Sequence, residues 1–148
     1  MSGITTDSRL TILNTLKEDL AKIQVTNDYN NDIARVERGF WDFKDVSEFP
    51  FLCFVCEADD KYEDVFSVDE SVSGLRVLDI KIVGYIVIEY PDFDPVHNLL
   101  EDLEHFLDNK LDSTYYDSTI VLGALIWEGS STDRVARFVQ SIQIVYHK

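Results

Sequence analysis

Between Leu75 and Tyr90 the chain alternates for sixteen residues like one very long β-strand. Leu78, Ile80, Ile82, Ile86 and Ile88 fall on one face, and Asp79, Lys81, Tyr85 and Glu89 fall on the other. Most strands have about five or six residues, whereas sixteen extended residues reach roughly 53 Å at about 3.3 Å each. A compact domain of this size has a radius of gyration near 15 Å and a diameter of about 40 Å. The strand is as long as the body that has to contain it. Either it bends at Gly84, where a missing side chain permits a bulge, or one end projects to meet another subunit. Both outcomes suit a building block better than a free-standing enzyme.

The 148 residues fit one domain, taken as 1–148, and a 45% hydrophobic content is enough for a genuine core. Lysine and arginine number 13 against 28 aspartates and glutamates, a formal charge of −15 that works against binding phosphate backbones. The arginines are scattered and form no basic patch, so sequence-specific nucleic-acid recognition is disfavoured. An acidic surface keeps a protein in solution, and it could also line a channel through which nucleic acid passes without sticking. No stretch approaches the roughly twenty apolar residues of a membrane helix, and the first residues lack a basic region followed by an apolar one. A soluble protein is expected. Two cysteines are too few for a secreted disulfide scaffold, which points to a reducing cytoplasm.

Along the chain, Asp7 or Ser8 is a good N-cap, and Leu13, Leu16, Leu20 and Ile23 recur at helical spacing, which predicts a helix from about Ser8 to Gln24. A turn-rich segment leads to a short strand, Ile33 to Arg38, closed by Gly39. Phe40, Trp41 and Phe43 follow in a loop, then Phe49-Pro50 introduces a buried strand through Phe51 to Cys56. Glu57 to Ser73 is acidic, lacks periodicity and reads as an exposed loop. The long strand stops at Pro91, and Asp94-Pro95 opens a second helix to about Lys110 with an apolar stripe of Val96, Leu99, Leu100, Leu103, Phe106 and Leu107. Thr119 to Trp127 and Arg134 to Tyr146 read as two final strands. The fold class is therefore α+β, a mainly antiparallel sheet with one long strand covered by two helices, in the order α-β-β-β-α-β-β.

Candidate chemistry is sparse. Cys53 and Cys56 have redox or zinc spacing, but they lie in an apolar strand, where positions three apart face opposite ways, and no second pair completes a zinc site. They read as structural. His97, Glu101 and His105 recur every four residues beside Asp102 and Glu104, yet a helical di-metal centre needs carboxylates from four facing helices, so this is read as an exposed polar face. The acidic loop lacks the layout of an EF-hand. No phosphate loop or nucleophile elbow appears, and paired carboxylates are unavoidable with 28 acidic residues. Neither enzyme activity, nor a cofactor, nor a metal is expected. The aromatics Phe40, Trp41 and Phe43 have two readings, as anchors for a partner or as a lid folded back on the sheet.

In this ordered pattern the chain resembles the tail terminator, or tail-completion, proteins of long-tailed bacteriophages. The features that carry the likeness are the N-terminal helix, the strand Ile33 to Arg38, the Phe49-Pro50 entry, the strand Leu75 to Tyr90, the helix Asp94 to Lys110 and the terminal strand with Phe138, Ile142, Ile144 and Tyr146. The resemblance covers nearly the whole chain. It implies a structural virion protein, assembled in the host cytoplasm, that forms a ring, usually hexameric, at the head-proximal end of the tail. The ring stops tube polymerisation and joins tail to neck, with the tail-tube protein and a neck or head-completion protein as partners and DNA only in passage. On this reading Phe40, Trp41, Phe43, Tyr85 and Tyr90 are candidate inter-subunit contacts, and Asp59, Asp60, Glu63 and Asp64 form a candidate lumen-facing acidic loop. The rivals are another head-tail connector and a small cytoplasmic ligand-binding α+β domain; the latter requires a pocket with convergent polar groups.

Overall fold

The computed structural model describes residues 9–61, 74–109, 118–132 and 134–147. They form two helices, α1 (Arg9–Leu20) and α2 (Asp94–Asn109), and five strands, β1 (Arg35–Arg38), β2 (Phe51–Lys61), β3 (Leu75–Val87), β4 (Ser118–Trp127) and β5 (Val135–His147). The order is α-β-β-β-α-β-β, and the strands make one sheet in the order β1-β2-β3-β5-β4. The fold is the expected α+β arrangement with a mainly antiparallel sheet. One pairing departs from antiparallel, since β1 runs parallel to β2. Parallel neighbours need a crossover of a dozen or so residues, and residues 39–50 supply it.

Periodicity explains the layers. Ile12, Leu13, Leu16 and Leu20 of α1 and Val96, Leu99, Leu103 and Phe106 of α2 are buried in the same core as Leu78, Ile80, Ile82, Ile86 and Ile88. Both helices therefore cover one face of the sheet, with Phe138, Ile142, Ile144 and Tyr146 of β5 completing that core. The opposite face carries a smaller cluster of Phe51, Cys53, Val83 and Tyr85, closed by Trp41, Phe43, Val46 and Phe49 from the crossover. The aromatic loop is a lid.

The long strand neither bends at Gly84 nor projects. It ends at Val87, three residues before Tyr90, and lies in the middle of the sheet, paired with β5 without interruption from Leu75↔His147 to Val87↔Val135. On its other side the register shifts once, between Cys56 and Ala58 of β2, well away from Leu52↔Gly84. Gly84 has a different use: a Cβ built there would lie 2.4 Å from ring atoms of Phe138, directly opposite on β5. The glycine is a slot for an aromatic ring.

Boundaries shift where local hydrogen bonds change. α1 ends at Leu20 because Lys22 and Ile23 bond back three residues, to the carbonyls of Asp19 and Leu20, and the chain then enters a 3-10 turn at Val25–Asn27. The expected caps Asp7 and Ser8 and the helix end Lys110 lie outside the described residues. The first strand starts at Arg35, two residues after Ile33. The larger correction concerns the acidic segment: Glu57 to Lys61 belongs to β2, so Asp59 and Asp60 sit on a strand paired with Leu78 and Val77.

Candidate assembly surface

Asp59 leads away from a lumen. Its side chain is only 7% exposed and accepts hydrogen bonds from Arg9 at 2.9 Å, from Arg76 Nε at 2.9 Å and from the Tyr146 hydroxyl at 2.7 Å. Burial pushes this carboxyl up, but Tyr146, Arg76 and Arg9 outweigh it and hold the group below its ordinary range. Burial and the same carboxylate push Tyr146 up to about 12. Asp59 therefore ties α1 to β2, β3 and β5. Asp60 is exposed at the end of β2, while Glu63 and Asp64 lie outside the described residues.

The aromatic candidates divide. Tyr85 is buried and donates its hydroxyl to the Trp41 carbonyl at 2.7 Å, and burial followed by the Cys53 side chain pushes it up to about 12. It is an internal strut and has no surface to offer a neighbour. Trp41 packs on Phe51 at 5.5 Å between ring centroids, lies under the Arg35 guanidinium at 4.8 Å and donates its indole N–H to the Arg38 carbonyl. Phe43 is half-buried in the same lid. Phe40 and Tyr90 remain at the surface, 68% and 53% exposed, with Tyr90 edge-on to Phe93.

The α2 polar residues do not converge on a metal. His97 Nε2 meets Glu128 at 2.7 Å and His105 lies edge-on to Tyr29. Asp102, expected on an exposed face, is buried and accepts from the backbone N–H groups of Asn30 and Asn31 and from the Asn31 side-chain amide at 2.8–2.9 Å. Among the described residues no group of three or more His, Cys, Asp or Glu side chains could hold a metal ion. Cys53 lies in the lid-face cluster and Cys56 against the helix-face core, so the two thiols face opposite ways as a strand requires; burial pushes both up.

What reading the sequence missed is the exposure of β4. This edge strand has one neighbour among the described residues, β5. Val121, Leu122, Leu125, Ile126 and Trp127 are each more than a third exposed, with Leu125 at 77%. Val121 and Ile126 sit opposite Ile142 and Phe138 on the helix face, whereas Leu125 and Trp127 sit opposite Val139 and Arg137 on the lid face. Ala124 packs on the helix-face core, but among the described residues no helix or lid residue covers these five side chains enough to bury them. The strand is apolar on both faces, as a central strand is, yet stands at an edge. A register shift lies between Val121 and Ala124, and the buried Gln140 amide fills it by donating to the Leu122 carbonyl at 2.6 Å.

Compared with known proteins, the chain matches no family model and no curated sequence. The signal for β4 is visible only in retrospect: Ser118 to Trp127 contains no ionisable side chain in a chain with 41 lysine, arginine, aspartate and glutamate residues, 13 basic plus 28 acidic. Among the described residues no helix is long and apolar enough to cross a membrane. The surface that stands out is an unfinished sheet.

Proposed function

We propose that this protein is a structural subunit of a phage virion, forming a ring at the head-proximal end of the tail that ends tube growth and joins tail to neck. The observation that carries its role as a subunit is β4, ten residues of central-strand composition standing at an edge. Exposed apolar edges are normally blunted by charge, proline or a covering element, because they recruit other strands; one that pairs with no further strand among the described residues supports a surface covered by assembly. The position in the tail rests on the likeness in element order, with a long β3 at the centre of the sheet and both helices on one face.

The charge of −15 suits a passage for DNA, since carboxylates repel phosphates and prevent adhesion. Asp60 is the described member of the acidic set available for that task, and Asp59, committed to Arg9 and Arg76, is not. The test is to add the purified protein to tail-tube protein from the same phage during polymerisation and image the products by negative stain. Expected are short tubes, each carrying one ring of this protein at one end. Tubes that grow unchecked with bare ends would overturn the tail reading, and cross-linking to a portal or neck protein instead would move the subunit to another connector.

A further inference from the structure

We propose that in the free protein β4 pairs with the β4 of a second copy, antiparallel about a two-fold axis, so that two five-stranded sheets join into one. This goes beyond the ring reading: a contact that uses the same edge on both copies closes at two subunits and cannot itself propagate around a ring. The pair guards β4 until another partner replaces it.

Three observations select a second β4 as the occupant. The first is composition. β4 has no ionisable residue over ten positions, so a strand laid against it must bring no charge to be desolvated without a partner. The other edge of the sheet, β1, fails this condition. It is four residues long, carries Arg35, Glu37 and Arg38, and has the Trp41 indole on one of its carbonyls, the marks of a protected edge.

The second is charge. Two copies at −15 repel each other, and they approach most easily where both present an uncharged segment. β4 against β4 does this by construction, and the nearest described carboxylate, Glu128, is occupied by His97 at 2.7 Å. The third is position. The exposed apolar side chains of β4 stand on both faces of the strand, so a second β4 laid alongside sets apolar neighbours beside them on each face while its backbone completes the open edge. The bulge at Leu122 and Gly123 leaves Ala124 to Trp127 as an unbroken stretch paired to β5, with Leu125 as its most exposed side chain.

Native mass spectrometry of the full chain over a wide concentration range tests the pairing, together with mild oxidation of variants carrying one added cysteine at Val121, Leu122, Leu125 or Ile126. Wild-type dimers are expected, and at least one added cysteine should link to itself, with wild type run alongside to show any contribution from Cys56. Leu125→Glu should weaken dimerisation by about tenfold or more, as an exposed side chain whose change leaves the fold intact, while Val25→Glu, which adds the same charge in the 3-10 turn, should leave it unchanged. A monomer at every concentration overturns the proposal. So does a closed ring in which no β4 cysteine links to itself, and that result leaves the ring reading standing. Dimers linked through β4, from a protein that never caps a tube, uphold the pairing and overturn the ring.

Discussion

Asp59 joins three elements through one carboxylate. Its partners, Arg9, Arg76 and Tyr146, lie 50, 17 and 87 positions away along the chain. An acid held below its ordinary value of 3.8 stabilises the fold above that pH, and the contribution disappears as pH falls through the lower, folded-state value. Asp59→Asn keeps the shape but removes the charge, leaving Arg76, only 20% exposed, without its counter-ion. The expected cost is about 2–3 kcal/mol near neutral pH. Urea unfolding of wild type and variant should show midpoints well separated at neutral pH and converging in acid; a separation independent of pH would mean the loss is one of packing. Sequence patterning put Asp59 in an acidic loop because alternation weakens after Cys56 and because no local rule links it to partners so distant. The aromatic residues were more legible. Phe40, Trp41 and Phe43 read equally as anchors or as a lid; Trp41 and Phe43 are lid, and Phe40 follows Gly39, whose φ of +89° suits glycine, onto the surface.

At the scale of elements, spacing carried most of the information. The period-2 alternation of β3 and the helical stripes of α1 and α2 mark the residues that share the core, because burial of one face is what the periodicity encodes. Sheet order was not encoded that way. Nothing local places β5 between β3 and β4, and that insertion is what leaves β4 at the edge. Gly84 shows how one residue can serve an element without bending it. In Gly84→Ala the new methyl meets the Phe138 ring, itself fully buried and unable to move aside freely, so the variant should lose about 1–3 kcal/mol with β3 otherwise intact. Differential scanning calorimetry measures it; Gly84→Ala combined with Phe138→Leu should recover part of the loss, and no recovery would place the cost in the backbone. α2 offers a parallel case. Asp102 holds two backbone N–H groups of the loop before β1, so Asp102→Ala removes these part-buried hydrogen bonds and should cost about 1–2 kcal/mol, with faster amide exchange at Asn30 and Asn31. Unchanged exchange there would show that the loop is held by other contacts.

Over the whole molecule, two properties act against each other. The charge of −15 keeps copies apart, and the bare apolar edge of β4 draws them together. Their balance depends on ionic strength in a direction that identifies the interface. Apolar burial is insensitive to modest salt, whereas repulsion between like-charged bodies falls as the screening length shrinks from about 30 Å at 0.01 M to about 8 Å at 0.15 M. Self-association through β4 should therefore tighten with added sodium chloride, several-fold between those conditions, as measured by sedimentation equilibrium. An interface built on Arg35, Arg38 or the other scattered cations would weaken over the same range, because its ion pairs are the part that salt screens. The sign discriminates between the two edges of the sheet without any variant. Association that weakens with salt would remove β4 as the principal contact between free copies.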